Sequence, residues 1–443
     1  MAISPARTAA FDILLRVETE DAYATELLHS TLVGKLSPQD RGLATEIVMG
    51  TLRWQPVLDA ILERASDKTP AKLDAEVRIA LRMALYQRAA LGRVPEHAIV
   101  NDGVELVKRA RKRSAAGFAN AVLRKALAGP ALGVAAFDPE QAHPAWLVAR
   151  WSARFGEARA RAICAYDQQH SPAAIRVADP ALVAELEREG VALAPGRLLA
   201  GARRVVSVAG PPITQTRAFK EGRVQIQDEA SQLVALLVGR VQPGGRVLDC
   251  CAAPGGKTTV IAARNREATI VAIEIHPQRA ELTRQRVRAA NVEVLTADAT
   301  KLQTRGGFDR VLADVPCSGT GTLARNPEIK WRLKPEKLVE FHALQVGLLN
   351  AALDQLKPGG RLLYSTCSLE REENEDVVEE VLRARKDVEL LDARDELAAL
   401  AKEGELAENN GEIDSLLAGK FLRTLPGVHP CDGFFAAALR RKS

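Results

Sequence analysis

The sequence predicts a multidomain protein: an all-α N-terminal domain, a small α+β segment, and an α/β domain of the Rossmann-like, doubly wound kind. Three observations predict it. Residues 1–140 carry helical periodicity with hardly a strand signal, residues after 240 alternate short Val/Ile/Leu runs with helical stretches, and the 145–220 stretch between them mixes both. A chain of 443 residues is also too long for one ordinary core, at about 150 residues per domain.

The first helix opens at "SPARTAAFDILLRVETE", where a Ser N-cap precedes Pro at N1 and Ala10, Ile13, Leu14 and Val17 follow at helical spacing. "SPQDRGLATEIVMGTLRWQPVLDAILERAS", "DAEVRIALRMALYQRAALG", "VPEHAIVNDGVELVKRARK" and "GFANAVLRKALAG" continue in the same period, and the Gly/Pro-bearing "GPALGVAAFDPE" reads as a linker. In the 145–220 segment, "AWLVARWSARFGEARARAICAYDQQ" reads as one helix, and "PAAIRVA", "PALVAELEREG" and "ARRVVSVA" as strand, helix and strand.

From 221 to 443 the runs "GRVLDCCA", "ATIVAIEI", "VEVLTAD", "FDRVLADVP" and "GRLLYSTCS" lack polar alternation. A strand of that kind belongs in a mainly parallel sheet covered on both faces. The closing "FLRTLPGVHPCDGFFAAALRR" reads as two strands around a Pro/Gly turn, an antiparallel pair at one sheet edge.

Composition narrows the class. With 47% hydrophobic and 26% charged residues, no run of eighteen apolar residues and no signal-like start, the chain is expected to be a cytoplasmic globular protein with no membrane association. The net charge of +5 is mild, but Arg and Lys cluster in "VKRARKRSAAG" and "GARRVVS", while acidic residues gather in "EREENEDVVEE" and "AKEGELAENNGE". A basic cluster is either a solvated face or a phosphate-backbone footprint. Six cysteines occur without a C-x-x-C pair or a Cys/His cluster at zinc spacing, so no metal site is expected.

In an open parallel sheet, ligands bind beyond the carboxyl ends of the strands. The first strand there delivers "DCCAAPGGKTT", a small-residue loop opening a helix; the second ends in Glu274, placed for a ribose diol; the third ends in Asp298 and the fourth in Asp314. Gly256-Lys257-Thr258 resembles the end of a phosphate-binding loop, but Cys251 stands where its first glycine belongs, and no G-x-G-x-x-G is present. A cationic nucleoside without phosphates, S-adenosylmethionine, suits this set of carboxylates.

Cys164, Cys250 and Cys431 read as packing residues. Cys317 and Cys367 differ because both terminate strands on the ligand side. One reaction needs such a pair: carbon 5 of cytosine accepts a methyl group only after a thiolate has added to carbon 6, and the adduct resolves only when a base removes the carbon 5 proton.

With "VQIQDEASQL", "VLDCCAAPGGKT", "FDRVLADVPCSGTGTLARNPEIKW", "GGRLLYSTCSLEREENE" and "HPCDGFFAAAL" in this order, the chain resembles the RNA cytosine-5 methyltransferases, which use S-adenosylmethionine. The first 140 residues resemble a NusB-like RNA-binding domain, and the combination resembles bacterial enzymes acting on 16S rRNA. The resemblance implies that Cys367 is the nucleophile, that Cys317 aids elimination, and that Asp314 touches both the cofactor and the N3 edge of the base. It assigns Cys251, Ala252, Ala253, Pro254, Gly255, Gly256, Lys257, Glu274, Asp298 and Asp314 to the cofactor, with Lys257 also orienting the acidic groups. Glu274 stands where Asp is common, and Cys250 where an aliphatic residue is usual.

An implied partner is 16S rRNA, naked or in an early small-subunit assembly intermediate, bound by a monomer. Lys108 to Arg113 become candidates for an RNA footprint, and Trp331 a candidate stacking platform. Two other readings stay open: a cytosine-5 methyltransferase acting on tRNA or 23S rRNA, and a non-catalytic RNA-binding factor.

Overall fold

A computed structural model of the chain describes residues 3–92, 94–128, 133–177, 179–208, 212–302, 307–407 and 413–443. Two compact units emerge, one formed by Met1–His170 with Leu323–Arg332, the other by Ser171–Thr322 with Leu333–Ser443.

The first unit is built on helices Pro5–Thr19, Pro38–Arg53, Gln55–Ser66, Ala75–Ala90, Glu96–Arg109 and Ala116–Leu127. Ser4 caps the first of them, its side chain accepting from the Arg7 amide, as the Ser-Pro start leads one to expect. Phe11, Ile13, Leu14, Ile47, Leu58, Leu81 and Leu123 share one buried core. Gly50 permits the closest contact there, because a Cβ would lie 1.8 Å from the Tyr86 ring. The helix read from Ala145 onward is two helices, Ala145–Phe155 and Glu157–Asp167, broken at Gly156 with φ +85°. Both pack within this unit. Of the linker stretch, residues 129–132 lie outside the described residues, as do 408–412 of the late acidic run.

The decapeptide Leu323–Arg332 is threaded into the same helical unit. Arg53 Nη2 donates to the Ala324 carbonyl at 2.9 Å, and the Ala24 amide donates to Glu328 at 2.8 Å. The buried Lys330 donates to the Arg53 carbonyl at 3.1 Å, and the Trp331 indole donates to the Leu52 carbonyl at 3.0 Å. Trp331 is thus an anchor within the helical unit, which corrects its reading as a stacking platform. Burial pulls Lys330 down to about 7 and pushes the buried Asp167 up to about 8.

The second unit begins with a small antiparallel sheet of β1 (Ala174–Arg176), β2 (Val191–Pro195), β3 (Ala202–Val208) and β4 (Gln225–Ile226), in the order β2-β3-β1-β4. The helix Pro180–Arg188 covers it, with Leu182 and Leu186 meeting Ile175 and Val191. The sequence reading anticipates β1, that helix and β3. It misses β2, whose Val-Ala-Leu-Ala-Pro carries little strand signal and whose Pro is tolerated at a sheet edge.

The larger sheet contains β5 (Arg246–Asp249), β6 (Thr269–Glu274), β7 (Val292–Thr296), β8 (Phe308–Asp314), β9 (Leu356–Thr366), β10 (Val388–Leu390), β11 (Leu417–Ala418), β12 (Phe421–Thr424) and β13 (Phe434–Arg441). Its order is β11-β12-β13-β9-β8-β5-β6-β7, with β10 also paired to β13. The strands β9, β8, β5, β6 and β7 run parallel, and β13, β12 and β11 extend the sheet antiparallel. After β5 the chain moves outward through β6 and β7, then returns to pair β8 on the other side of β5. That reversal opens a crevice at the carboxyl ends of β5 and β8.

Candidate active site

The loop after β5 passes through Cys251, Ala252, Ala253 and Pro254 to Gly255, which caps the helix Gly256–Arg264 with φ +97°. A Cβ at Gly255 would lie 2.6 Å from Val287, so both conformation and space call for glycine. Around this loop stand carboxylates from successive strand ends. Glu274 is buried and accepts from the His276 amide at 2.9 Å, with Arg279 3.8 Å from its second oxygen. Asp298 lies two residues past β7 and caps the turn Ala299–Lys301. Its hydrogen bonds from the Thr300 hydroxyl and amide, with Lys301 beside it, hold it below the usual carboxylate range.

Asp249, at the end of β5, is a residue that the sequence reading passes over. It is buried, Oδ2 accepts from the Thr258 hydroxyl at 2.7 Å, and Oδ1 has no hydrogen-bond partner among the described residues. Burial pushes it up to about 6, against the Thr258 hydrogen bond. An orphaned acceptor beside a small-residue loop fits a cationic, hydrogen-donating cofactor, as do the strand-end carboxylates. Its signal in the sequence is its place: the last residue of the first strand, directly before the loop.

Asp314 ends β8, and the parallel register pairs it with Ser365 of β9. Its Oδ1 accepts from the Ser365 hydroxyl at 2.7 Å, and its Oδ2 lies 2.7 Å from Nζ of Lys257. Burial pulls the Lys257 ammonium down, but the charge and hydrogen bond of Asp314 outweigh it and hold it above its usual value, with Cys367 adding to the same field. The Phe434 ring lies 5.0 Å from this ammonium.

The same pairing of β8 with β9 brings the two sequence-predicted thiols together. Sγ of Cys317 and Sγ of Cys367 are 3.3 Å apart, each half-buried. The loop after Cys317 closes on the other strand end, the Gly321 amide donating to the Cys367 carbonyl at 2.9 Å and the Leu369 amide to the Thr320 hydroxyl at 2.8 Å. Gly321 itself abuts Gly433, whose amide donates to the Gly321 carbonyl at 2.8 Å. The Cys317 thiol is pushed well up, first by its hydrogen bond to Cys367 and then by burial.

Cys164, Cys250 and Cys431 behave as packing residues. Cys164 is buried and pushed up to about 12 by burial, and Cys250 and Cys431 are buried and raised for the same reason. Cys251 is half-buried on the loop, its thiol also raised by burial. Among the described residues no group of three His, Cys, Asp or Glu could hold a metal, and no helix is long and apolar enough to cross a membrane.

The basic cluster of the helical unit is largely neutralised from within. Lys108 pairs with Glu105 at 2.6 Å, Arg109 forms a two-pronged pair with Asp12 at 2.8 and 2.9 Å, and Lys112 lies 2.9 Å from Asp74. Much of the positive charge counted from sequence therefore already has an acidic partner.

Residues 236–440 match the family described as 16S rRNA methyltransferase RsmB/F. Residues 4–128 match the NusB family, and residues 143–205 the ferredoxin-like domain of RsmF/B-like methyltransferases. The chain is 32% identical to the probable ribosomal RNA small subunit methyltransferase B of Bacillus subtilis (strain 168), over 98% of each chain. It is also 32% identical to the ribosomal RNA small subunit methyltransferase B of Xanthomonas campestris pv. campestris, over 99% of this chain and 97% of that one. The solved structure of PH0851 shares the fold across the full length of both chains, with a TM-score of 0.81 at 24% identity.

Proposed function

Because the chain belongs to the RsmB/F family of 16S rRNA methyltransferases and takes S-adenosylmethionine as cofactor, we propose that it methylates carbon 5 of a cytosine in 16S rRNA through a transient bond from Cys367 to carbon 6. The observation that supports this reading most is the pair of thiols 3.3 Å apart beside the Asp314–Lys257 pair.

When bound, S-adenosylmethionine supplies an electrophilic methyl group on a sulfonium. Asp249, Glu274, Asp298 and the loop from Cys251 to Lys257 would hold it. Cys367 adds as thiolate to carbon 6, which makes carbon 5 nucleophilic. The Lys257 ammonium, paired with Asp314, places a positive charge in the field of the attacking sulfur. N3 takes a proton from solvent as the adduct forms, and Asp314, fixed by Ser365 and Lys257, accepts the hydrogen bond of that N3–H and so stabilises the enamine. Cys317, having released its own proton to solvent, then takes the proton from carbon 5; the electron pair left behind re-forms the carbon 5–carbon 6 double bond, and the bond to Cys367 breaks to return its thiolate. The target base must leave its stack to reach two buried strand ends, and the helical unit holds the RNA while it does.

The test is incubation of the full chain with labelled S-adenosylmethionine and 16S rRNA, followed by bisulfite mapping. One protected cytosine is expected in treated RNA. Label incorporated without any protected cytosine would refute cytosine-5 chemistry.

A further inference from the structure

Glu373 sits in the acidic run after Cys367, where a sequence reading sees only solvated charge, yet its side chain is fully buried. Four hydrogen bonds end on its carboxylate. Oε1 accepts from the Ser318 amide at 2.7 Å and from Nε2 of Gln345 at 3.1 Å. Oε2 accepts from the hydroxyls of both Ser318 and Ser368. Those serines directly follow Cys317 and Cys367 in the chain, and their oxygens are 3.0 Å apart. One carboxylate therefore grips the residue next to each sulfur.

Its own backbone is tied down as well, with the Tyr364 hydroxyl donating to the Glu373 carbonyl at 2.6 Å. A buried carboxylate is costly unless its acceptors are filled, and here they are filled by the two thiol-bearing loops and by Gln345. Its charge also reaches the thiols asymmetrically. Cys317 is held protonated by its hydrogen bond to Cys367, by burial, and by the fields of Cys367 and Glu373, whereas the Lys257 ammonium feels Cys367. The charge of Glu373 thus acts on Cys317, and the ammonium of Lys257 lies within the field of Cys367.

We infer that Glu373 is a positioning residue that sets the register of the two thiol-bearing loops and, through it, which of the two sulfurs reacts first. The inference deepens the proposed reaction and rests on it for its purpose, but its test reads the free enzyme and needs no RNA.

The full chain is treated with iodoacetamide at pH values from about 6 to 9, spanning the ordinary thiol range, and alkylation at each cysteine is followed by peptide mass spectrometry. In the unsubstituted protein Cys367 reacts ahead of Cys317. In Glu373→Gln, which keeps the shape and loses the charge, that preference falls by about tenfold, the change expected when a buried charged hydrogen-bonded group is lost. The double variant Ser318→Ala/Ser368→Ala keeps the carboxylate and removes both hydroxyl donors. It moves the preference in the same direction and decides the matter if Glu373→Gln does not fold. A preference for Cys317 in the unsubstituted protein, or an unchanged preference in the variants, overturns the inference whether or not the enzyme methylates cytosine. Lost preference in a protein that modifies no cytosine removes the proposed reaction and leaves the role of Glu373 standing.

Discussion

Nζ of Lys257 and Oδ2 of Asp314 lie 2.7 Å apart although one residue lies in the first turn of the helix that follows β5 and the other ends β8. These strands are neighbours at the crevice where the strand order reverses. The pair fixes an acceptor oriented by two partners and a cation in the field of Cys367.

Lys257→Met removes that cation while retaining most of the side chain's bulk. Methyl transfer is expected to slow by about 10²-fold or more, the usual scale for losing an oriented charge at a reaction centre. Single-turnover rates check it.

Cys367→Ala is expected to abolish methylation and to form no covalent complex with RNA. Cys317→Ala is expected to accumulate a covalent protein–RNA adduct, visible as a retarded band on a denaturing gel. An adduct in the opposite variant would exchange the roles of the two sulfurs.

Asp249 carries a pH signature. Its folded value of about 6 stands above the ordinary 3.8, so the folded chain keeps a proton that the unfolded chain has released between about pH 4 and pH 6. Stability from this group is present at acid pH, falls as pH rises through that window, and stays lost above it. Asp249→Asn is expected to stabilise the fold at pH 7.5 by up to ~3 kcal/mol and to do much less at pH 4. It is also expected to weaken cofactor binding. Unfolding midpoints at the two pH values and calorimetry with S-adenosylmethionine measure these effects.

Gly321→Ala would place a Cβ 2.2 Å from the Gly433 carbonyl oxygen, a backbone atom that has no rotamer to escape into. The variant is expected to lose about 2 to 3 kcal/mol of stability and to lose activity, because the same loop holds the Cys367 carbonyl. Thermal unfolding together with methylation rates would reveal a tolerated contact.

Much of the site is legible in the sequence because its chemistry lies at strand ends. Runs such as "RVLD" and "FDRVLAD" identify buried parallel strands, and whatever follows them faces the crevice. Cys317 and Cys367 stand out on that ground, fifty residues apart. Their 3.3 Å separation does not, since it depends on the β8–β9 register that pairs Asp314 with Ser365. Glu373 is hidden among charges whose burial is decided only by the serines and the glutamine that converge on it. Trp331 misleads for a related reason: its neighbours in sequence belong to the catalytic motif, but its indole proton goes to Leu52. The basic run from Lys108 to Lys112 looks more positive than it is, because its acidic partners Asp12 and Asp74 lie far away along the chain.

The helical unit is not a contiguous stretch of polypeptide, since it closes only around the decapeptide Leu323–Arg332. A fragment ending at His170 would leave the carbonyl of Arg53 without the Lys330 ammonium and Asp167 with only Arg53 of its two neighbouring cations. One beginning at Ser171 would turn Leu323, Ala324 and Lys330 out into water. Exchange of this module between relatives therefore has to carry two pieces of gene, and a graft that moves only the amino-terminal one delivers a host without its guest.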